Sequence, residues 1–222
     1  MILKNASSEW MSISDMMSGL MLIFLFIAIS FMVKIESEKE EMKNVAKSYR
    51  DEKANLNESL YSEFEGDLER WHATITSENS IVFDAPEVLF EVSKSEIRDE
   101  FKVILADFFP RYLKLLTSQE YKNSVAELRV EGHTSDKWSK ESTQQEIYLN
   151  NMKLSQSRAY NVLAYCYSLD INSTKNIKEW LEKHFRANGV AFSKMEDEQH
   201  ARRVEFVLQM KSEETIFNVL KK

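Results

Sequence analysis

Residue types that interrupt helices and strands or cross-link the chain are scarce in this sequence of 222 residues. Cys166 is the lone cysteine, so the chain forms no internal disulfide. Only four glycines and two prolines are present, which argues against a loop-rich or low-complexity protein and favours a helix-rich one. The histidines are scattered and no Cys/His group has zinc-site spacing, so no metal site or other cofactor is predicted.

The composition also excludes two classes of function. The net charge is −7, so the chain as a whole lacks the basic character of a nucleic-acid-binding protein. No nucleophile–base pair can be recognised, and Cys166 lies in the apolar stretch "LAYCYSL", which is typical of a core position. The sequence therefore predicts a protein that is not an enzyme and has no direct nucleic-acid partner.

One long apolar run stands near the start, within "SISDMMSGLMLIFLFIAISFMV", residues 12–33. Met16 to Val33 carries no charge, and its eighteen residues would rise about 27 Å as a helix, close to the roughly 30 Å of a bilayer core. A cleavable signal peptide fits poorly, because a basic region before the run and a small-residue cleavage site after it are both missing. We predict a single span of the bacterial inner membrane. Residues 1–11 would form a short cytoplasmic tail, and the bulk of the chain would lie in the periplasm.

A carboxylate interrupts the beginning of this span. An ionised acid in lipid costs several kcal/mol, so acids in spans usually face protein or water and carry function. Asp15 could instead cap the helix or reach back to the headgroups. Its neighbours Ser14, Ser18 and Gly19 are small, which suits close helix packing and a hydrated path.

The segment 34–72 is charged and predicts a helical neck. Ile35, Met42, Tyr49 and Leu56 are each seven residues apart, a coiled-coil spacing. Other apolar residues fall between them at spacings of three or four: Val45, Leu60, Phe64 and Leu68. Self-association into a homodimer is the favoured interpretation, and docking of this stripe on the following domain is the alternative.

Residues 73–222 predict a domain in which strands and helices alternate. The predicted strands are 74–76, 81–83, 88–90, "VAELRVEG" and "ARRVEFVLQM", and the predicted helices are 97–116, 153–169 and 177–185. Pro110 is expected to kink or interrupt the first helix, "ANG" is expected to end the last, and 133–151 is predicted to be mainly loop. The order indicates an α+β fold with helices packed on a small sheet.

Three phrases in this domain resemble the OmpA-like peptidoglycan-binding family. They are "VEGHTSDKW", "NMKLSQSRAYNVLAY" and "ARRVEFVLQ", and they arrive in the family's order. The resemblance implies a βαβαβ peptidoglycan-binding domain. Two positions depart from the family pattern: Ser135 replaces the Asp that follows His-Thr, with Asp136 one place on, and Ala201 replaces the Asn before Arg-Arg.

The resemblance also implies a binding site for the stem peptide of peptidoglycan. A guanidinium recognises a carboxylate through two hydrogen bonds, so Arg158 is the candidate carboxylate clamp. Asp136, or alternatively Glu131, is the candidate partner of a diaminopimelate ammonium. The predicted peptidoglycan-binding residues are Asp136, Asn151, Leu154, Arg158 and Arg203. The alternative is that Arg158 is a surface charge and Asn151 a helix cap.

A membrane span, a helical neck and an OmpA-like domain together resemble the MotB family of stator subunits. That resemblance implies that Asp15 carries the translocated ion, that a MotA-like (ZorA-like) multi-span protein is the partner, and that the motor is proton-driven. The short N-terminal tail and the phrases "VLFEVSKSEI" and "FFPRYLKLL" are more similar to the ZorB family of Zorya anti-phage defence systems. A flagellar MotB-type stator, or a passive envelope tether without ion flow, are the alternatives.

Overall fold

The computed structural model describes residues 3–139, 141–170, 175–194 and 201–212, with side chains from residue 14 onward. Residues 1 and 2, the side chains of the predicted tail and the end of the predicted domain at 213–222 lie outside this described part. Helix α1 spans Leu3–Trp71, 69 residues, and therefore extends for about 100 Å. It joins the predicted span and the predicted neck in one element.

The described side chains of the first half of α1, from residue 14 onward, are all exposed. Residues of the predicted span, such as Phe24 and Met32, are 62% and 71% exposed. Within the described residues, one helix is long and apolar enough to cross a membrane, and it is this one. A stretch that is both apolar and uncovered by protein has the surface that a hydrocarbon environment requires.

The second half of α1 belongs to the core of the following domain. Leu56, Leu60 and Phe64 are fully buried, and Trp71 is 2% exposed. This burial corresponds to the docking alternative for residues 56–71 of the neck. Ile35 and Met42 stay exposed and remain available for the predicted self-association.

The domain is built on one five-stranded sheet. Its strands are β1 (Ala73–Ile75), β2 (Ile81–Phe83), β3 (Val125–His133), β4 (Phe185–Ala191) and β5 (Val204–Met210). Their order across the sheet is β1-β2-β5-β3-β4, with β3 and β4 parallel and the other neighbours antiparallel. The parallel pair requires a crossover connection, which the helices between β3 and β4 supply.

Besides α1, the described part of the chain contains the helices α2 (Pro86–Leu89), α3 (Asp99–Leu116), α4 (Gln144–Ser168) and α5 (Lys175–His184). Aromatic rings join α1, α3 and the sheet into one core. Phe108 of α3 lies 5.4 Å from Phe64 of α1 and 5.1 Å from Phe206 of β5, measured between ring centroids. The α+β class and the long N-terminal apolar helix are confirmed.

Four local predictions were wrong. The predicted strand 88–90 overlaps helix α2, which begins at Pro86, a residue favoured at a first helical position. Of the two effects expected at Pro110, interruption is wrong, because helix α3 continues through this residue as an α-helix. "ANG" does not end α5 but lies within β4, because pairing with β3 outweighs the local turn preference. Helix α4 begins at Gln144, nine residues earlier than predicted.

Candidate functional site

The carboxylate of the predicted span lies on the same side of α1 as small polar residues. Asp15, Ser18 and Gly19 are three and four residues apart, which places them on one helical face. Ser18 Oγ donates a hydrogen bond to the Ser14 carbonyl oxygen at 2.9 Å. The side chains on this face are therefore small or polar in the first turns of the span, whereas the residues further along the span are mostly apolar.

The second group of predicted residues lies on α4, whose start is fixed by a capping box. Glu146 N–H donates to Thr143 Oγ1 at 3.3 Å, and Thr143 N–H donates to Glu146 Oε2 at 2.8 Å. These bonds satisfy donors that would otherwise have no partner at the helix start. The phrase "TQQE" carried this signal in the sequence, and it explains why the predicted loop gives way to helix at Gln144.

Two glycines allow the backbone of α4 to pack directly against the sheet. A Cβ atom at Gly132 of β3 would overlap the carbonyl oxygen of Ser155, and one at Gly189 of β4 would overlap the backbone of Gln156. Ser155 Oγ accepts a hydrogen bond from Ala191 N–H at 3.0 Å, and Gln156 Oε1 accepts one from Gly189 N–H at 2.7 Å. The backbone of α4 is therefore held at fixed distance from the ends of both strands.

A cavity of about 710 Å³ lies beside α4, where β3 ends. It is lined by Val92, Ser93, Thr134, Ser135, Lys137, Trp138, Ser139, Asn151, Leu154, Arg158 and Arg202. Three of the predicted peptidoglycan-binding residues, Asn151, Leu154 and Arg158, are thus brought together. Asn151 is buried, and its side-chain amide donates to the Ile147 carbonyl oxygen at 3.0 Å.

Arg158 is held against the segment between α2 and α3. Its Nε donates to the Lys94 carbonyl oxygen at 2.9 Å and its Nη2 to the Glu91 carbonyl oxygen at 3.3 Å, while the guanidinium lies 4.8 Å from the centroid of the Phe90 ring. The side chain is 5% exposed, so it is not a free surface charge. Burial, and secondarily repulsion by Arg202, lowers the pKa of Arg158 to about 10.

The other two predicted residues lie apart from this cavity wall. Asp136 is exposed and is not among the lining residues. Arg203 donates from Nη2 to the Lys194 carbonyl oxygen at 3.2 Å and lines a smaller neighbouring cavity together with Arg158 and Arg202. Arg202 and Trp138, which also line the cavity, were not among the predicted binding residues. Both lie within phrases that carried the family resemblance, Arg202 in "ARRVEFVLQ" and Trp138 in "VEGHTSDKW".

A buried ion network lies behind the cavity, at the end of β3. Glu131 Oε1 accepts from Arg129 Nε at 2.9 Å, and Glu131 Oε2 accepts from Lys194 Nζ at 2.7 Å. His133 Nε2 lies 3.5 Å from Glu205 Oε2 and 3.8 Å from Glu131 Oε2, an electrostatic contact longer than a well-formed hydrogen bond. Glu131 is 1% exposed and already paired with two cations, so it is not free to bind an ammonium in this arrangement.

The network sets the charge of each member. Burial alone raises the pKa of Glu131, but Lys194 and then Arg129 outweigh it, so the pKa lies below its usual value. Burial likewise raises the pKa of Glu205, and the contact with His133 contributes to a net lowering. Burial lowers the pKa of His133.

Glu131, His133 and Glu205 have ligand atoms within 4.8 Å of one another, a separation compatible with a metal ion. Lys194 and Arg129 supply the positive charge there.

A search of curated proteins found one protein similar to this chain over most of its length. It is the Zorya protein ZorB of Escherichia coli strain Crooks, which is 38% identical over 208 residues, covering 90% of this chain and 87% of that protein. No protein-family model matches the chain.

Solved structures give weaker likenesses. The cell wall anchor of the type VI secretion system of Pseudomonas aeruginosa matches with a TM-score of 0.45 and 21% identity, covering 68% of this chain and 96% of that one. A putative MotB-like protein from Desulfovibrio vulgaris matches with a TM-score of 0.44 and 19% identity, covering 78% of this chain and 98% of that one. At these TM-scores neither structure assigns a function to this chain.

Proposed function

The chain belongs to the ZorB family of Zorya systems, and on that premise we propose that it is the wall-anchored, stator-like subunit of a proton-driven inner-membrane motor in anti-phage defence. Two copies pair through their spans and the exposed part of the neck. A MotA-like (ZorA-like) multi-span protein surrounds the pair. Residues 1–11 lie in the cytoplasm, and the sheet domain lies in the periplasm, where it holds peptidoglycan.

The observation that carries this proposal is a carboxylate in the first turns of the predicted membrane span of α1, directly before the uncharged run 16–33. A tether needs only the apolar residues, whereas an ion carrier also needs a group that takes up and releases a proton. Asp15 supplies that group, and Ser18 and Gly19 leave room for water and for a partner helix on the same face. Because a charged acid in lipid is costly, the partner or water must cover Asp15 while it is ionised.

The continuity of α1 supports mechanical coupling between the span and the wall. The same helix that carries Asp15 ends in the domain core, where Leu60 and Phe64 are fully buried. Arg111 of α3 fastens this end further, since its Nε donates to Glu63 Oε1 at 2.7 Å and its Nη1 to Asp67 Oδ2 at 2.7 Å. A domain fixed to peptidoglycan would thus hold the span fixed while the partner moves against it.

The experiment that tests the proposal replaces the span carboxylate by its neutral isostere. Asp15→Asn should abolish phage protection and proton entry into vesicles that contain the reconstituted complex, while copurification of the multi-span partner is unchanged. Asp51→Asn is the matched control, because Asp51 is an exposed acid on the same helix outside the apolar run. Full protection by Asp15→Asn would refute ion carriage and leave the passive tether. Loss of partner copurification would show that Asp15 serves assembly instead.

A further inference from the structure

The buried ion network contains two acids placed directly opposite each other. Glu131 of β3 and Glu205 of β5 are partners in the antiparallel register, and His133 follows two residues after Glu131 on β3. The side chains of Glu131 and His133 are buried, and that of Glu205 is 15% exposed. Two like charges at directly opposite positions destabilise a sheet. The arrangement therefore favours a cation between the two carboxylates.

The imidazole of His133 independently indicates a ligand at this place. Its Nε2 is buried and has no hydrogen-bond partner among the described residues. The atom lies 3.5 Å from Glu205 Oε2 and 3.8 Å from Glu131 Oε2, so it is beside both carboxylates yet too far for a well-formed hydrogen bond. The backbone is fixed, because His133 N–H donates to the Arg203 carbonyl oxygen at 3.0 Å. A buried polar atom without a partner is costly, and an ion held between these groups would satisfy it.

The distances between the three side chains suit a metal ion. Zn²⁺ binds imidazole nitrogen and carboxylate oxygen at about 2.0–2.2 Å in a tetrahedral arrangement, in which neighbouring ligand atoms are about 3.4 Å apart. The ligand atoms of Glu131, His133 and Glu205 lie within 4.8 Å of one another, so small side-chain rotations bring them to one ion. Imidazole is a ligand of Zn²⁺ and of similar transition metals, whereas Mg²⁺ and Ca²⁺ prefer oxygen ligands alone.

The cations of the network orient this group of ligands. Arg129 Nε donates to the other oxygen of Glu131, Oε1, at 2.9 Å, and so fixes the carboxylate as the outer hydrogen-bond partners of metal ligands do. Arg203 Nε lies 3.9 Å from Glu205 Oε2, a long ion pair. Lys194 Nζ donates to Glu131 Oε2 itself at 2.7 Å, and its side chain is 52% exposed. Lys194 is therefore the cation that a metal ion displaces, because its ammonium regains water when it leaves.

From these features we propose that Glu131, His133 and Glu205 bind one Zn²⁺ ion, with Lys194 as the competitor for Glu131 Oε2. The ion supplies positive charge between the opposed carboxylates, satisfies His133 Nε2 and joins β3 to β5. The proposal goes beyond the proposed function, since it requires neither peptidoglycan nor ion flow. Metal-site spacing in the sequence does not indicate this group, because its third ligand lies on a different strand.

The test titrates ZnCl₂ into the chelator-treated full chain in detergent micelles, with calorimetry as the readout. We expect one Zn²⁺ ion per chain and at least about tenfold weaker binding of Mg²⁺ and Ca²⁺. His133→Gln and Glu205→Gln each remove one ligand and should weaken Zn²⁺ binding at least about tenfold. His72→Gln is the matched control, because His72 is exposed and lies outside the network. It should bind Zn²⁺ like the parent chain.

A fourth variant tests the competition and does not remove a ligand. Lys194→Gln should strengthen Zn²⁺ binding by about two- to fivefold, since the ammonium no longer occupies Glu131 Oε2. Near-ultraviolet circular dichroism shows which variants are folded. If the two ligand variants unfold, Lys194→Gln and the thermal unfolding midpoint of the parent chain, which excess Zn²⁺ should raise and excess Mg²⁺ should not, still decide the question.

The contrary outcomes are specific. Absence of Zn²⁺ binding by the parent chain, parental affinity in folded Glu205→Gln, or equal affinity for Mg²⁺ would overturn the proposed site. Loss of binding in His72→Gln would place the ion elsewhere and would overturn it as well. Weaker binding by Lys194→Gln would contradict the displacement of Lys194.

Discussion

The backbone of Gly132 lies directly under the backbone of Ser155, with no room for a side chain between β3 and α4. This contact sets the position of the helix that carries Asn151, Leu154 and Arg158. A second close contact, between Gly189 and Gln156, does the same one strand further out. The geometry of the cavity thus depends on two positions that carry no side chain.

Adding a methyl group at this contact should destabilise the domain. Gly132→Ala forces α4 away from the sheet, and we expect the free energy of unfolding to fall by about 1–3 kcal/mol. The measurement is chemical denaturation of the full chain in detergent. Gly66→Ala is the control: Gly66 lies in helix α1 with nothing near its added Cβ, so alanine should raise stability by about 0.5–1 kcal/mol. Equal stability of Gly132→Ala and the parent chain would contradict the close packing.

Truncating the buried end of α1 should destabilise the sheet domain. Phe64 is fully buried against Phe108 and Tyr112, so Phe64→Ala leaves a cavity and should cost about 3–5 kcal/mol. Val103→Ala on α3, where the side chain is 71% exposed, should change stability by less than about 0.5 kcal/mol. Thermal unfolding followed by near-ultraviolet circular dichroism measures both. If α1 docked only loosely, Phe64→Ala would behave like the Val103 variant.

Arg158 should contribute to folding as well as to binding. A lysine at this position keeps the charge but lacks the planar guanidinium, whose separate nitrogens donate to the Lys94 and Glu91 carbonyl oxygens while the group lies over Phe90. We expect Arg158→Lys to lower the free energy of unfolding by about 1–3 kcal/mol and to reduce retention on sacculi. Arg202→Lys, at an exposed position, should leave stability within about 0.5 kcal/mol. Parental stability of Arg158→Lys in a denaturant titration would contradict this dual role.

The ion network predicts a loss of stability in acid. Because burial lowers the pKa of His133, the unfolded chain takes up a proton near pH 6.5 while the folded chain does not, so stability falls as the pH drops from there. Glu131 and Glu205 have pKa values below the usual 4.5. Their contribution is therefore kept above that pH and is lost as the pH falls further.

Substitution of His133 separates the two parts of this profile. His133→Gln should flatten the slope of unfolding free energy that begins below about pH 6.5 and leave the loss that the two carboxylates cause below about pH 4.5. His72→Gln is the matched control, because His72 is exposed and lies outside the network. Denaturant titrations at a series of pH values measure these slopes. Parallel curves for His133→Gln and the parent chain would show that another group titrates in this range.

Local patterns in the sequence determined the apolar helix, most of the strands and helices, and the α+β class. An uncharged apolar run, an alternation of apolar and polar residues, or a helix-capping sequence extends over only a few residues. Each can therefore be recognised without knowing what packs against it. Strand β4 was not predicted, because its conformation depends on a distant part of the chain. "ANG" favours a turn locally, and pairing with β3 makes this segment extended. The resemblance to known families also came from short phrases, and the ZorB membership agrees with it.

Contacts between distant residues were decided by the tertiary structure alone. The apolar stripe of the neck was compatible with self-association or docking, and the burial of Leu60 and Phe64 in the domain core distinguishes the two for this half of the helix. Likewise, Arg158 and Asp136 were predicted from the sequence to bind the same ligand group, but the fold places Arg158 in the cavity wall and Asp136 at an exposed position outside the lining residues. The physical reason is that the chemistry of each side chain follows from the residue type alone. The distances between the side chains of a site are set only when α4 packs on the sheet.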